Sequence, residues 1–251
     1  MNYFYLTSVI GLAIENDESG SKRQAQSYNL HLKPVPGGVK AKSCLDHYKS
    51  GKRYSDIYQI NPDGKGSFAV MCDMIGKGWT VFQHRYDGFL DFYRKWKDYK
   101  KGFGSLLGEF WLGLEQLHRI TTSRRYKLRI DLEDFKGNKR YAEYRSFHVG
   151  SEHDGFRLSI GAYSGNAGDS LSYHNGAQFT TKDADHDRSY WANCAQSFHG
   201  AWWYNRCHNS NLNGFYYRGG KHSSYADGIN WYHWKGYQYS MKTVTMKIKE
   251  V

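Results

Sequence analysis

The stretch from residue 179 to residue 214 reads FTTKDADHDRSYWANCAQSFHGAWWYNRCHNSNLNG. Within it Asp183, Asp185 and Asp187 alternate along a turn-rich segment. Carboxylates at this spacing supply the hard oxygen ligands that Ca2+ prefers. The segment is not an EF-hand, because the sixth position counted from Asp183 holds Arg instead of Gly and the twelfth holds Cys instead of Glu. The pattern predicts a calcium loop of another kind, and a solvated acidic turn is the alternative.

The four cysteines of the chain form two near pairs, Cys44 with Cys72 and Cys194 with Cys207. An even number of cysteines at local spacing favours two local disulfide bonds, and disulfide bonds persist in oxidising compartments. No C-x-x-C motif is present, and the cysteines lack the tight spacing of a structural zinc site. We therefore expect an extracellular protein.

Hydrophobic periodicity divides the chain near residue 150. After that point Gly, Asn, Asp, Ser and His dominate until residue 237, which is typical of a functional loop system in a disulfide-bonded domain. Before it, alternation and turn signals predict short strands, and the segment Gly-Glu-Phe-Trp-Leu-Gly-Leu-Glu-Gln-Leu-His predicts a short helix. The predicted strands are residues 58–60, 68–72, 79–83, 126–132, 140–149 and 239–251, and the predicted helix is residues 108–118.

Composition favours a mixed fold with many short strands. Aromatic residues make up 17% of the chain, with 27 Gly and only 3 Pro, and this argues against a helical bundle. The net charge of +11 is compatible with an anionic partner or with a basic, solvated surface. No nucleic-acid-binding motif accompanies the charge, and no G-x-S-x-G, H-E-x-x-H or phosphate-binding Gly loop predicts an enzyme.

The first residues differ in character from the rest. An apolar stretch at residues 3–14 is too short to span a bilayer and predicts a signal peptide at residues 1–18, with a disordered tail as the alternative. Residues 19–40 are polar and predict a linker or flexible arm. The folded domain is expected at residues 41–251, and no membrane-spanning segment is predicted.

Several blocks of the sequence resemble the fibrinogen C-terminal domain family. The resemblance covers about residues 41–251, and within the family it is closest to ficolins and tachylectin-type lectins. It implies an α+β fold with an N-terminal disulfide subdomain, a central antiparallel sheet and a loop-rich subdomain that binds calcium and ligand. The blocks are VMCDM (70–74), GWTVFQHR (78–85), GEFWLG (108–113), FTTKDADHD (179–187), GAWWY (200–204), NLNG (211–214), YADG (225–228) and WKGYQYS (234–240).

The resemblance implies a calcium site with a defined ligand set. The carboxylates of Asp185 and Asp187 and main-chain carbonyls near Ser189 and Trp191 would bind Ca2+. By the same resemblance, the segment from Asp187 to the following cysteine is one residue longer than in the most similar family members, so we expect either carbonyl ligands shifted by one position or a weakened site.

The resemblance also implies a pocket for the acetyl group of N-acetylated sugars. Aromatic rings would hold the methyl group, and main-chain N–H groups near the second cysteine would hold the carbonyl. A cis peptide bond is implied between Arg206 and Cys207, and Trp202 and Trp203 are expected in the core. Several lectins of the family carry Tyr where this chain has Phe198. The predicted pocket residues are Phe198, Arg206, Cys207, His208, Tyr225, Ala226 and Tyr237.

The function that follows from the resemblance is that of a secreted, calcium-dependent lectin. It would bind acetylated glycans on microbial or other surfaces, in innate immune recognition or agglutination. The alternative is a secreted protein ligand of the angiopoietin-like type that binds a receptor or another protein. A single shallow site binds weakly, so a homo-oligomer is compatible with either function.

Overall fold

The computed structural model describes residues 40–251, and a nine-stranded antiparallel sheet organises them. The strands are β1 (Asp56–Ile60), β2 (Phe68–Asp73), β3 (Trp79–Arg85), β4 (Phe103–Gly104), β5 (Phe110–Trp111), β6 (Tyr126–Glu133), β7 (Lys139–Tyr144), β8 (Phe147–Val149), β9 (Leu158–Ile160), β10 (Tyr163–Gly165), β11 (Ser210–Asn211), β12 (Asn230–Trp231) and β13 (Thr243–Glu250). The helices are α1 (Cys44–Lys49), α2 (Trp96–Lys101), α3 (Leu114–Ser123), α4 (Cys194–Ser197) and α5 (Tyr232–Lys235), with 3-10 turns at Glu152–Asp154 and Ser172–His174.

The last strand of the chain lies in the middle of the sheet. The strand order is β1-β2-β3-β13-β6-β7-β10, with β5 also pairing with β3 and β4. Strand β6 buries every second residue, including Leu128, Ile130 and Leu132, as its sequence alternation predicts. On the opposite face Lys247 of β13 bridges Asp73 and Asp131 at 2.9 Å each. The loop-rich segment between β10 and β13 therefore begins and ends on one rigid sheet.

Large aromatic rings fill the core. Trp202 and Trp203 are fully buried, which confirms the prediction that they are core residues. The ring of Trp203 meets Phe179 edge to face at 5.1 Å, and its indole N–H donates to the carbonyl of Phe156 at 2.8 Å. The indole N–H groups of Trp111 and Trp231 also donate to main-chain carbonyls, whereas the buried indole nitrogen of Trp202 has no partner among the described residues.

Two predicted elements were wrong. Residues 108–118 do not form one helix, because Phe110 and Trp111 pair in register with His84 and Gln83 of β3, and α3 begins only at Leu114. Residues 140–149 do not form one strand either, since β7 ends at Tyr144 and β8 pairs with β9 in a separate two-stranded sheet. In both places long-range pairing overrides the local pattern.

The α+β fold with a central antiparallel sheet is confirmed, together with both disulfide bonds. Cys44 is bonded to Cys72 and Cys194 to Cys207. The predicted signal peptide (1–18) and all but the last residue of the predicted linker (19–40) lie outside the described residues. Among residues 40–251, no helix has the length and apolar character needed to cross a membrane.

A buried carboxylate shapes the loop after β3. Glu109 faces the guanidinium of Arg85, with Nε and Oε1 3.6 Å apart and both side chains almost fully buried. Burial raises the pKa of Glu109, but Arg85 and the main-chain donors outweigh it, so the pKa lies below its usual value. The carboxylate accepts hydrogen bonds from four main-chain N–H groups, those of Tyr86 (2.9 Å), Asp87 (3.4 Å), Gly88 (3.1 Å) and Leu90 (3.0 Å).

Replacing Glu109 tests this arrangement. Glu109→Gln should lower the free energy of unfolding by about 3–5 kcal/mol, because it leaves the charge of Arg85 buried and uncompensated. Glu115→Gln is the control, since Glu115 is half-exposed and pairs with Lys100 at 3.3 Å, and its loss should cost less than about 1 kcal/mol. Denaturant titration of both variants measures the difference, and equal costs would contradict a structural role for Glu109.

Candidate calcium and ligand site

The three alternating aspartates of the predicted calcium loop do not share one role. Asp183 Oδ1 accepts hydrogen bonds from the main-chain N–H of Trp96 at 2.8 Å and from the hydroxyl of Thr181 at 2.8 Å. Asp183 therefore ties the loop to the start of α2. The two carboxylates that remain, Asp185 and Asp187, are the pair that the resemblance assigns to calcium.

Asp185 and Asp187 lie side by side at the start of a tight loop. The N–H of Asp187 donates to Asp185 Oδ1 at 3.2 Å. Asp187 Oδ1 accepts from Ser189 N and its Oδ2 from Cys194 N, both at 2.7 Å. Burial, with a further contribution from Asp185, raises the pKa of Asp187 to about 6 although both main-chain donors lower it. Two neighbouring carboxylates that repel each other form an arrangement that a cation stabilises.

The donor set fits calcium better than a transition metal. Within residues 40–251 no group of three or more His, Cys, Asp or Glu side chains is arranged to hold a metal ion. A cation at Asp185 and Asp187 therefore needs main-chain carbonyls and water as its other ligands, which Ca2+ accepts readily. Ser189 and Trp191, the predicted carbonyl positions, follow directly in the loop, and the side chain of Trp191 is 91% exposed.

Main-chain contacts connect this loop to the second cysteine. The N–H of Arg188 donates to the carbonyl of Asn205 at 3.1 Å, and the N–H of Asn205 donates to the carbonyl of Cys207 at 2.7 Å. Cys194, which donates to Asp187, is bonded to Cys207 through sulfur. The Arg206–Cys207 peptide bond is cis, as predicted. The loop is therefore joined to residues 205–207 both by a main-chain hydrogen bond and by the disulfide bond.

All seven predicted ligand-binding residues line one pocket of about 350 Å3. An eighth residue, Ser189 of the calcium loop, lines it as well. The pocket residues are Ser189, Phe198, Arg206, Cys207, His208, Tyr225, Ala226 and Tyr237. The shared residue Ser189 makes the calcium loop part of the pocket wall.

His208 is the unusual residue of the pocket. Its ring is only 5% exposed, yet neither ring nitrogen makes a hydrogen bond to a described residue. Phe198 and Tyr237 meet this ring edge to face at 4.7 Å and 5.6 Å. Burial, and to a smaller extent His174, lowers the pKa of His208 to about 3 although the main chain of Ala226 raises it, so the ring is neutral at physiological pH. A neutral imidazole carries one donor and one acceptor, and here its only polar neighbour is the main chain of Ala226, too distant for a normal hydrogen bond.

Tyr237 and Ala226 are two further residues of the pocket wall. The hydroxyl of Tyr237 donates to the carbonyl of His208 at 2.9 Å or to Asn209 Oδ1 at 3.1 Å. Ala226 has a φ of 63°, a left-handed conformation that is uncommon for Ala, and its N–H donates to the carbonyl of Tyr237 at 3.2 Å. Tyr225, next to it, is 65% exposed and stands at the mouth of the pocket.

The sequence did not predict the structural roles of His174 and Asn193, two residues that hold the segments around the pocket. His174 Nδ1 donates to the carbonyl of Trp203 at 2.7 Å, and its Nε2 accepts from the N–H groups of Asn209 and Ser210 at 3.2 Å each. Asn193 caps α4 through its Oδ1, at 2.8 Å from Ala195 N. Both residues lie in segments without periodicity, so the sequence carries no signal for their roles.

The sheet, the two local disulfide bonds and the pocket define a disulfide-bonded binding domain. The family model of the C-terminal globular domain of fibrinogen beta and gamma chains matches residues 40–251, and this chain belongs to that family. Domains of this family are extracellular and non-enzymatic, which confirms the prediction of a binding protein, and they usually bind calcium.

Individual relatives support the same assignment. Fibrinogen C domain-containing protein 1 of Xenopus tropicalis is 48% identical over 235 residues, which cover 90% of this chain and 51% of that protein. The chain thus spans about half the length of that relative. The fibrinogen-like globe domain of human ANGPTL2 is 46% identical with a TM-score of 0.82, covering 84% of this chain and 99% of that domain. The lamprey fibrin D-dimer, in complex with the peptide Gly-His-Arg-Pro-amide, is 38% identical with a TM-score of 0.80, covering 90% of this chain and 77% of that chain.

The unpaired ring of His208 leads to a prediction on stability. His208→Phe should leave the free energy of unfolding at pH 7 unchanged or raise it by about 1 kcal/mol, because two unsatisfied buried nitrogens are removed while the aromatic packing is kept. Denaturant titration at pH 7 measures the change. A loss of several kcal/mol would show that the nitrogens of His208 are satisfied.

His208→Phe should also change how the free energy of unfolding depends on pH. The pKa of His208 is about 3 and that of buried His174 about 4, both below the value of about 6.5 in an unfolded chain. Above pH 6.5 both rings are neutral in the folded and in the unfolded state. Below pH 6.5 the unfolded chain takes up protons that the folded protein does not, so the folded state loses stability as the pH falls. Each ring should therefore lower the free energy of unfolding by about 1.4 kcal/mol per pH unit between pH 6 and 4. His208→Phe should remove one of the two contributions, and an unchanged slope would contradict the neutral state.

Proposed function

We propose that this domain is a calcium-dependent lectin that binds the acetamido group of N-acetylated sugars, of the type found in ficolins and tachylectins. The observation that carries the proposal is one pocket of about 350 Å3 that combines aromatic rings with the main-chain N–H groups of Cys207 and His208, which make no hydrogen bond to another described residue. A buried polar group without a partner is costly, and a ligand that supplies the missing hydrogen bonds recovers that cost.

An acetamido group matches the chemistry of this pocket. It offers one carbonyl acceptor, which main-chain N–H groups can satisfy, and one apolar methyl group. The N–H groups of Cys207 and His208 make no hydrogen bond to another described residue, so they are donors for the carbonyl. Phe198 and Tyr237 supply apolar ring surface for the methyl group. With Phe at position 198, this wall is apolar without a hydroxyl.

The alternative ligand is a protein, as the similarity to angiopoietin-like domains and to peptide-bound fibrin suggests. A peptide that enters with its amino terminus brings a positive charge, which needs a carboxylate in the pocket. The described residues that line the pocket include Arg206 and no Asp or Glu. A neutral or anionic ligand therefore fits this pocket better than a peptide amino terminus.

Calcium would act on the pocket through the protein and need not touch the sugar. Asp187 binds the N–H groups of Ser189 and Cys194, one of which belongs to the pocket wall and the other to the disulfide bond that anchors Cys207. A cation held by Asp185 and Asp187 would fix both at once. Calcium is thus proposed to maintain the pocket's shape and to act at the affinities of extracellular modules, about 0.1–1 mM.

The biological role proposed is recognition or agglutination of microbes by a secreted protein. A single pocket binds a small acetylated group weakly, so firm attachment to a glycan-covered surface needs several domains. A homo-oligomer would supply them.

Binding to acetylated glycans tests the lectin assignment. The wild-type domain should bind an acetylated resin and not its non-acetylated counterpart. Tyr225→Ala and His208→Phe should each weaken binding at least about tenfold, since one removes an aromatic ring of the pocket and the other places a larger ring beside the main-chain donors of Cys207 and His208. His222→Phe is the matched control, because the side chain of His222 is also buried but lies outside the pocket lining, with its Nδ1 3.8 Å from Asp227 Oδ1.

A glycan array separates the lectin from its rival. Signals on acetylated glycans that the two pocket variants lose support the lectin. An empty array, combined with capture of a defined receptor domain by the wild-type protein, would overturn it.

Calcium dependence has its own test. Calorimetry should show calcium binding at millimolar concentration or below, and Asp187→Asn should weaken it at least about tenfold. Asp183→Asn is the matched control and should leave calcium affinity nearly unchanged, because Asp183 binds Trp96 N. Chelation should release wild-type protein from acetylated resin, and resin binding that survives chelation would contradict the coupling.

A further inference from the structure

Four exposed tyrosines surround the pocket, and we call them the tyrosine rim. Their exposed fractions are 85% for Tyr190, 65% for Tyr225, 45% for Tyr232 and 38% for Tyr173. Rings exposed to this degree contribute little burial to the stability of the fold. Their presence together on one face needs another explanation.

Two members of the tyrosine rim, Tyr225 and Tyr232, contact the pocket residue Tyr237. The ring of Tyr232 lies 4.6 Å from that of Tyr237 at an interplanar angle of 31°, and the ring of Tyr225 lies 5.4 Å from it. Tyr237 itself lines the pocket and contacts His208. Tyr232 does not line the pocket, so it extends the aromatic surface outward.

The other two members of the rim, Tyr190 and Tyr173, contact the pocket residue Arg206. The guanidinium carbon of Arg206 lies 5.9 Å from the ring centroid of Tyr190, and Arg206 lines the pocket. The hydroxyl of Tyr173 lies within hydrogen-bond distance of both main-chain groups of Arg206, at 3.1 Å from its carbonyl oxygen and 3.3 Å from its nitrogen.

The chemistry of the rim matches sugar rings. A pyranose has an apolar C–H face that stacks on an aromatic ring and a polar edge that needs hydrogen bonds. Tyr190, Tyr225 and Tyr232 are exposed, so their hydroxyls can serve that edge. Among the described residues, the rim and the pocket lining together contain no Leu, Ile, Val or Met and no carboxylate.

From these contacts we propose that Tyr190 and Tyr232 form two flanking subsites for the neighbouring sugars of a linear N-acetylated oligosaccharide. The inference rests on the proposed function, because the central sugar occupies the acetamido pocket. It narrows the ligand class from any terminal acetylated sugar to chains in which acetylated sugars follow one another. Such a chain would contact the ring beside Arg206 and the ring beside Tyr237 as well as the pocket itself.

Chain-length dependence of binding tests the subsites. Calorimetry with calcium present should show that the linear tetramer of N-acetylglucosamine binds the wild-type domain more tightly than the monomer, by about tenfold beyond the statistical factor. Tyr190→Ala and Tyr232→Ala should each remove about threefold of that gain, and the double variant all of it. Monomer affinity should stay within about twofold, because neither ring lines the pocket.

A matched control and three outcomes make the test decisive. Tyr54 is 85% exposed, as Tyr190 is, and Tyr54→Ala should leave tetramer binding unchanged. If the wild-type domain binds the monomer but gains nothing with length, the subsites are absent and the lectin stands. If it binds neither sugar, both fall. If light scattering shows self-association that Tyr190→Ala or Tyr232→Ala abolishes, with no change in tetramer binding, the rim joins two copies of the chain and the subsites are again wrong.

Discussion

Both oxygens of Asp187 accept main-chain hydrogen bonds, one from Ser189 N and one from Cys194 N, at 2.7 Å each. These two contacts connect three things that lie apart in sequence: the acidic loop, the start of α4 and, through the disulfide bond, the residue Cys207. Few regular strands stabilise this half of the domain, so its shape depends on such cross-connections. A change of charge at the acidic loop would therefore act on the shape of the pocket through the two hydrogen bonds of Asp187.

The pocket is assembled from features that cost folding free energy. His208 buries two unpaired nitrogens, Ala226 is held at a φ of 63°, and exposed tyrosines surround the opening. Each is unfavourable in an isolated protein, typically by about 1–3 kcal/mol for a strained or unsatisfied group. The sheet and the buried tryptophans offset these costs. Unfavourable groups that converge on one cavity indicate a surface that is completed by a ligand.

The sequence predicted the regular parts of the fold well and the irregular parts only through family resemblance. Alternation alone located β6, because one face of that strand is buried and the other solvated. It misassigned residues 108–113, where Phe110 and Trp111 have the composition of a short helix but pair with β3. Of the three alternating aspartates, spacing could not show that Asp183 binds α2. His174 was missed because its role depends on main-chain groups 29–36 residues away.

The composition of the loop-rich half follows from how its main chain is satisfied. Buried main-chain groups without hydrogen bonds would destabilise the fold. Where no neighbouring strand supplies these bonds, buried carbonyls accept hydrogen bonds from side chains. Asn211 Nδ2 donates to the carbonyl of Phe198 at 3.0 Å, and Asn213 Nδ2 to that of Ala201 at 3.0 Å. Asn230 Nδ2 reaches the carbonyls of Tyr237 and Tyr239, both at 3.0 Å. These amides hold the framework of the loop-rich half, whereas the ring of Tyr190 is 85% exposed and packs little against it. The main chain of this half is therefore held by buried side-chain amides and not by the exposed tyrosines.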